Sequence, residues 1–167
     1  MHTVPNFIEL APDKFLDYLK EEGLSEVIAW RTQHGEAGKP GRERYSKFAK
    51  SLVLSGTADE HQPPALGFPI EIVPERNPYL LHAGEELPVR VLLRGKPAPH
   101  LQVEAAWADQ GQSKTTVIGR TDSTGRIRVP LTSAGQWRLH SLHMERCAEP
   151  AVADWESLWA SLTFAVR

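Results

Sequence analysis

The chain has 167 residues, enough for one domain with a small appendage. A formal net charge of −2 and a pI near 6.4 exclude any global electrostatic pull toward nucleic acid or anionic membrane. One cysteine excludes an intrachain disulfide, no apolar run approaches the roughly 20 residues of a membrane-spanning helix, and thirteen prolines with twelve glycines point to a loop-rich chain, more β than α.

The opening Met1-His2-Thr3-Val4-Pro5-Asn6 shows neither the basic nor the apolar region of a signal peptide. From Ala11 to Ser55 the pattern is helical. Pro12 suits a first helical turn, Phe15, Leu16, Tyr18 and Leu19 form one apolar stripe, and Gly23 suits a C-cap. Ser25 is expected to cap a short helix carrying Val27, Ile28 and Trp30. After the breaker His34–Gly41, the i, i+3, i+4, i+7 spacing of Tyr45, Phe48, Ala49 and Leu52 predicts a third helix. Thr57–Pro64 is polar and carries proline, so it is expected to be a linker.

Beyond Gly67 the period falls to two. Leu87, Val89, Val91 and Leu93 alternate, as do Leu101, Val103, Ala105 and Trp107, and then Ile127, Val129 and Leu131. Turn residues bound each run, at Arg94-Gly95-Lys96-Pro97, Asp109-Gln110-Gly111, Asp122-Ser123-Thr124-Gly125 and Ser133-Ala134-Gly135. Further strands are expected at Pro69–Val73, Tyr79–His82, Thr116–Arg120, Trp137–His143 and Leu158–Val166. The expected fold is mainly β with an α appendage: two or three short helices and a linker over residues 1–66, then an antiparallel β-sandwich of about seven strands over residues 67–167.

The run Gly119-Arg120-Thr121-Asp122-Ser123-Thr124-Gly125-Arg126, an alternating strand, and Gly135-Gln136-Trp137-Arg138-Leu139 resemble the signature of transthyretin-like, carboxypeptidase-regulatory-type sandwiches. A longer set covers nearly the whole chain: Phe15–Leu24, Pro40–Lys47, Pro69–Tyr79, Gly95-Lys96-Pro97, Leu139–Met144 and Trp155–Phe164. Together they resemble the bacterial family known as domain of unknown function 4198, once labelled a periplasmic component of nickel transport. That resemblance implies a transthyretin-like (prealbumin-like) sandwich, export to the periplasm, a link to divalent transition-metal uptake of the nickel or cobalt type, and an envelope or transport protein as partner. It also implies a leader and an additional N-terminal β segment opening with a histidine. This chain shows neither, so it is expected to be truncated.

His140-x-x-His143, followed by Met144, Glu145 and Cys147, is the leading metal candidate, since imidazole, thiolate and thioether suit nickel, copper or zinc. On a strand, residues three apart point to opposite faces, so His140 and His143 do not form a local chelate. A site needs one of them plus ligands from elsewhere, such as His82, His100, Asp154 or Glu156. The alternative is one structural and one surface histidine. Asp154-Trp155-Glu156 could serve a sugar or cation, or be a loop whose acids are solvated or cap Ser157. Pro40–Lys47 could bind an anion at a helix start or form an ion-pair network docking that helix. No G-x-S-x-G is present and Cys147 has no activating motif.

The functional expectation is therefore a non-enzymatic, exported binding or accessory module, with His143, His140 and Glu156 as metal candidates. The alternatives are a structural or protein-interaction module of the envelope without metal, and a hydrolase working through the acids near Trp155.

Overall fold

The computed structural model describes residues 1–109 and 111–167. It is mainly β, with ten strands, two α-helices and one short 3-10 turn among those residues. In chain order these are β1 (Asn6–Leu10), α1 (Pro12–Glu21), α2 (Ser25–Gln33), β2 (Gly41–Ser51), β3 (Ile70–Pro74), the 3-10 turn (Pro78–Leu80), β4 (Glu86–Leu93), β5 (Lys96–Pro97), β6 (Gln102–Asp109), β7 (Gln112–Arg120), β8 (Arg126–Pro130), β9 (Gly135–Arg146) and β10 (Trp155–Val166). The turn expected at Asp109-Gln110-Gly111 centres on residue 110 and lies outside the described residues. A six-stranded sheet runs in the order β1-β2-β10-β9-β6-β7, and a four-stranded sheet pairs β4 with β3, β5 and β8.

The chain divides into two compact units, one made of Met1, residues 48–141 and 160–167, the other of residues 2–47 and 142–159. The strands β2, β9 and β10 each contribute one stretch to either unit.

The first unit is a β-sandwich whose core is built mainly from strand residues. On β4 the alternating Leu87, Val89 and Val91 are fully buried, matched by Val103 and Ala105 on β6, Leu139 on β9 and Leu162 on β10. Each such Leu or Val contributes about 1.5–3 kcal/mol on burial. The turn into β8 forms as expected. Asp122 Oδ1 accepts from the amides of Thr124 at 2.7 Å and Arg126 at 3.0 Å, and these bonds hold its carboxyl below the usual range. Gly125 sits at φ 74°, where a Cβ would stand 2.8 Å from the Val91 carbonyl oxygen. Trp137 plugs the sandwich as its position after Gly135 predicts, only 2 % exposed, with its indole N–H donating to the Ser133 carbonyl at 3.0 Å. The linker following β2 is tied down by charge. Lys50 Nζ meets Glu71 at 2.6 Å, and Glu71 also accepts from the amides of Leu66 and Gly67. At the other edge, β7 carries an irregularity: Val103 faces Gly119 while Glu104 faces Val117, which leaves Ile118 as an extra residue.

The second unit places two helices on short strand segments. Phe15 and Leu19 of α1 are fully buried and cluster with Val27, Met144 and Trp155. The α1 helix ends as the sequence predicts: Gly23 takes φ 68°, its amide reaches the Lys20 carbonyl at 3.1 Å, and the Leu24 amide reaches that of Leu19 at 2.8 Å. Ser25 is not a cap. The α2 helix begins at Ser25, with Leu24 in the cap position and no side-chain bond there. Arg31, 4 % exposed, lies 4.8 Å from the Phe15 ring centroid and donates to the carbonyls of Glu36 at 2.7 Å and Lys39 at 2.5 Å, which fixes the loop after α2.

The expected third helix is the strand β2. It pairs with β1 in the register Ile8↔Glu43 and Leu10↔Gly41. Its buried positions are Gly41 and Glu43, then Ser46, Phe48 and Lys50, so the alternation slips once and three of its five buried members are polar or charged. Apolar side chains alone therefore show a false helical spacing, and strand pairing overrides it. The strand expected at Tyr79–His82 is the 3-10 turn, because Asn77 caps the Tyr79 amide at 3.1 Å and Pro78 presets the first φ. The strands β1 and β5 were not expected.

Candidate functional site

The three sequence-derived metal candidates have different partners. His140, in the sandwich unit, places Nδ1 3.2 Å from the Ala160 carbonyl oxygen. His143 and Glu156 belong to the other unit. There His143 Nε2 stands 3.3 Å from Glu145 Oε2, while Glu156 is held by Arg44 at 3.0 Å. His82 is exposed and pairs with Glu85 at 3.3 Å, and the buried Cys147 thiol donates to the Glu149 carbonyl at 3.6 Å. Among the described residues no group of three or more His, Cys, Asp or Glu side chains is arranged to hold a metal ion.

The Arg-rich motif of Pro40–Lys47 is a ladder of ion pairs on one face of β2. Arg42 meets Asp154 at 2.8 Å, and Arg44 bridges Glu149 and Glu156, each at 3.0 Å. Ion pairs do form at this motif, but on a strand rather than on the expected helix and with acids from residues 149–156; Glu43 takes no part in them, and there is no helix N-terminus here to receive an anion. The guanidinium of Arg42 keeps the Asp154 carboxyl below the usual range. Trp155 is not flanked by free acids. It lies against Trp30 at 5.4 Å, with the Arg146 guanidinium 4.9 Å from its ring centroid.

The other face of β2 carries a second constellation, one the sequence did not single out. Side chains two apart on a strand share a face, so Glu43, Tyr45 and Lys47 stand together, with Ile8 opposite Glu43 across the ladder. Tyr18 enters from α1 and Trp159 from β10, and these residues line an open pocket of about 270 Å³. At its floor Glu43 is 3 % exposed. The Tyr18 hydroxyl donates to Glu43 Oε1 at 3.1 Å, the Ser157 hydroxyl donates to the same oxygen, and the Trp159 indole N–H donates to Ser157 Oγ at 2.9 Å. The Tyr18 and Trp159 rings are parallel within 1°, their centroids 6.0 Å apart. Lys47 Nζ sits at the mouth, 5.0 Å from the Trp159 centroid and 5.5 Å from that of Tyr45.

The electrostatics of the floor follow from burial. Removal from water pushes the Glu43 carboxyl above the usual range, against the opposing pull of its Ser157, Tyr18 and Trp159 hydrogen bonds. Burial, reinforced by Glu43, pushes the Tyr18 phenol up as well. The floor can thus hold a proton and offer hydrogen bonds. Tyr18 is a poor source of phenolate, and among the described residues no imidazole lines the pocket. A sequence signal for this site existed only in fragments: Tyr18 on the α1 stripe and Trp159 in the aromatic-rich close of the chain.

Among the described residues no helix is long and apolar enough to cross a membrane. No curated protein and no solved structure matches the chain. One family model does match, over residues 5–145, and the chain belongs to that family, described as Domain of unknown function (DUF4198).

Proposed function

We propose that the protein is a non-enzymatic binding module of the cell envelope, exported to the periplasm, whose ligand seat is the pocket floored by Glu43. The observation that carries this reading is a preformed, aromatic-walled cavity of about 270 Å³ with a few convergent polar groups, the usual form of a small-molecule site. The hydrogen bonds at its floor hold Tyr18, Glu43, Ser157 and Trp159 to one another and so keep the pocket wall in place. The periplasmic setting is inferred from the resemblance to a family once labelled a periplasmic nickel-transport component.

A link to divalent-metal uptake belongs to the same proposal in its finer form. It is supported by the His143–Glu145 pair, which supplies one imidazole and one carboxylate to an incoming cation. Two experiments test the proposal. Indole N–H resonances are followed by NMR while a panel of small aromatic fragments is added, and the Trp159 signal is expected to shift. Nickel, cobalt, copper and zinc are then titrated at micromolar levels, and the His143 resonances are expected to move in the wild type and not in His143→Ala. A silent Trp159 overturns the pocket reading, and a silent His143 overturns the metal link.

A protein-interaction module is the second reading. It is favoured by the edge strand β1, where Phe7 is 59 % and Ile8 42 % exposed beside an exposed Val4. It takes over if neither titration gives a response.

A further inference from the structure

We propose that the pocket of the helix-bearing unit selects small aromatic molecules that carry an anionic group, the ring lying against Trp159 and Tyr45 and the anion paired with Lys47. This rests on the reading of that pocket as the ligand seat and assigns the chemical class of its occupant.

Three observations lead there. The first is the charge at the mouth. Lys47 is exposed, and among the described residues it has no ion pair, whereas its neighbours on β2, Arg42 and Arg44, are both committed to carboxylates. A cation at a pocket rim without a partner of its own attracts an anion into a setting partly shielded from water, where the pair is stronger than on open surface.

The second is the position of that cation. Its ammonium lies within cation–π distance of two rings, at 5.0 and 5.5 Å from the centroids of Trp159 and Tyr45. The ammonium therefore lies over a face of each ring. An aromatic ligand replaces that contact with ring-on-ring packing. The four-carbon stem of Lys47 lets its ammonium swing outward to the ligand's charge.

The third is the floor. Glu43 is the one carboxyl lining the pocket, and burial disfavours its charged form. The lining thus presents a net positive or neutral face rather than a negative one. The rival occupant, an organic ammonium caged by the same rings, would have to displace Lys47 and meet its charge on the way in.

The test uses three ligands that share a 4-hydroxyphenyl ring and differ in the charge of its substituent: 4-hydroxyphenylacetate, 4-methylphenol and tyramine. Each is titrated into the wild-type chain while the Trp159 indole N–H is observed, assigned by its loss in Trp159→Phe. The expected order is the acid at least tenfold tighter than the neutral phenol, with tyramine weakest. In Lys47→Met the acid and the phenol are expected to bind that variant equally well, and Lys47→Arg is expected to retain the preference for the acid. Lys47 is exposed, so an unchanged circular-dichroism spectrum is expected for both variants. Tyramine binding tighter than the acid overturns the proposal in favour of a cation cage. Equal binding of acid and phenol, or an acid preference that persists in Lys47→Met, overturns it while leaving the pocket reading intact. No response of Trp159 to any of the three overturns both.

Discussion

The sandwich unit and the helix-bearing unit bury charge in different ways. In the sandwich, the buried Lys50 and Glu71 neutralise each other at 2.6 Å. In the other unit, the buried Arg31 is held by backbone carbonyls and the face of Phe15, and the buried Glu43 by hydroxyls. An ion pair inside a domain is a structural tie whose value depends on both partners being present. A carboxyl held by neutral hydroxyls keeps the freedom to change protonation state and to take a new partner. The sandwich ties its buried charges to each other, and the helix-bearing unit ties each of its own to neutral groups.

The largest expected effect breaks the tie. Glu71→Ala leaves the Lys50 ammonium buried without its partner and strips the acceptor from the Leu66 and Gly67 amides, so a loss of about 3–5 kcal/mol is expected in urea unfolding. The double change Lys50→Met, Glu71→Leu is expected to recover most of it, because the desolvation cost disappears with the charges. Next comes Gly41→Ala in the other unit. A Cβ there would stand 2.4 Å from the Phe15 ring, and about 1–3 kcal/mol of overpacking cost is expected from the same measurement.

Glu43→Gln tests the other half of the comparison and carries the opposite sign. The folded-state pKa of Glu43 is raised by burial, so its protonation adds stability that is fully present below the unfolded value near 4.3 and is lost as pH rises through the folded value. The amide keeps an acceptor for Tyr18 and Ser157 without the charge. It is therefore expected to raise the urea midpoint at pH 7 and to flatten the stability profile above pH 4.3. The smallest effect belongs to Asp154→Asn. Its partner Arg42 is 40 % exposed, so at most about 1 kcal/mol is expected at neutral pH. Because the Asp154 pKa is depressed, that contribution is present above the usual aspartate value near 3.9 and vanishes as pH falls through the folded one.

Much of the sandwich was legible because its residues obey one rule at a time. Leu87, Val89 and Val91 alternate cleanly on β4, and Asp122 to Gly125 is a turn closed by the local hydrogen bonds of the Asp122 side chain. The stripe of α1 and the glycine closing it were equally readable. The strand β2 was not, because Glu43, Ser46 and Lys50 occupy buried positions and the alternation slips between them. The candidate site was hidden for a related reason. Its residues come from β1, α1, β2 and β10, and only pairing brings Ile8 opposite Glu43 or Tyr18 over Trp159. Composition drew attention to His140 and His143 instead. Strand alternation argues against that pair as a local chelate, but nothing in the sequence shows that Arg44 holds Glu156 or that Glu145 is the neighbour of His143.

The extra residue in β7 bears on how the chain behaves when crowded. A strand at the end of a sheet order is a template on which another molecule can polymerise. Here Gln112, Ser113, Lys114, Thr115 and Thr116 present an exposed polar surface, and the irregularity at Ile118 interrupts the straight run of backbone donors that a foreign strand needs. A polar surface and a broken backbone register are the two devices by which an edge strand resists pairing with a foreign one, and this edge carries both over its first five residues and at Ile118.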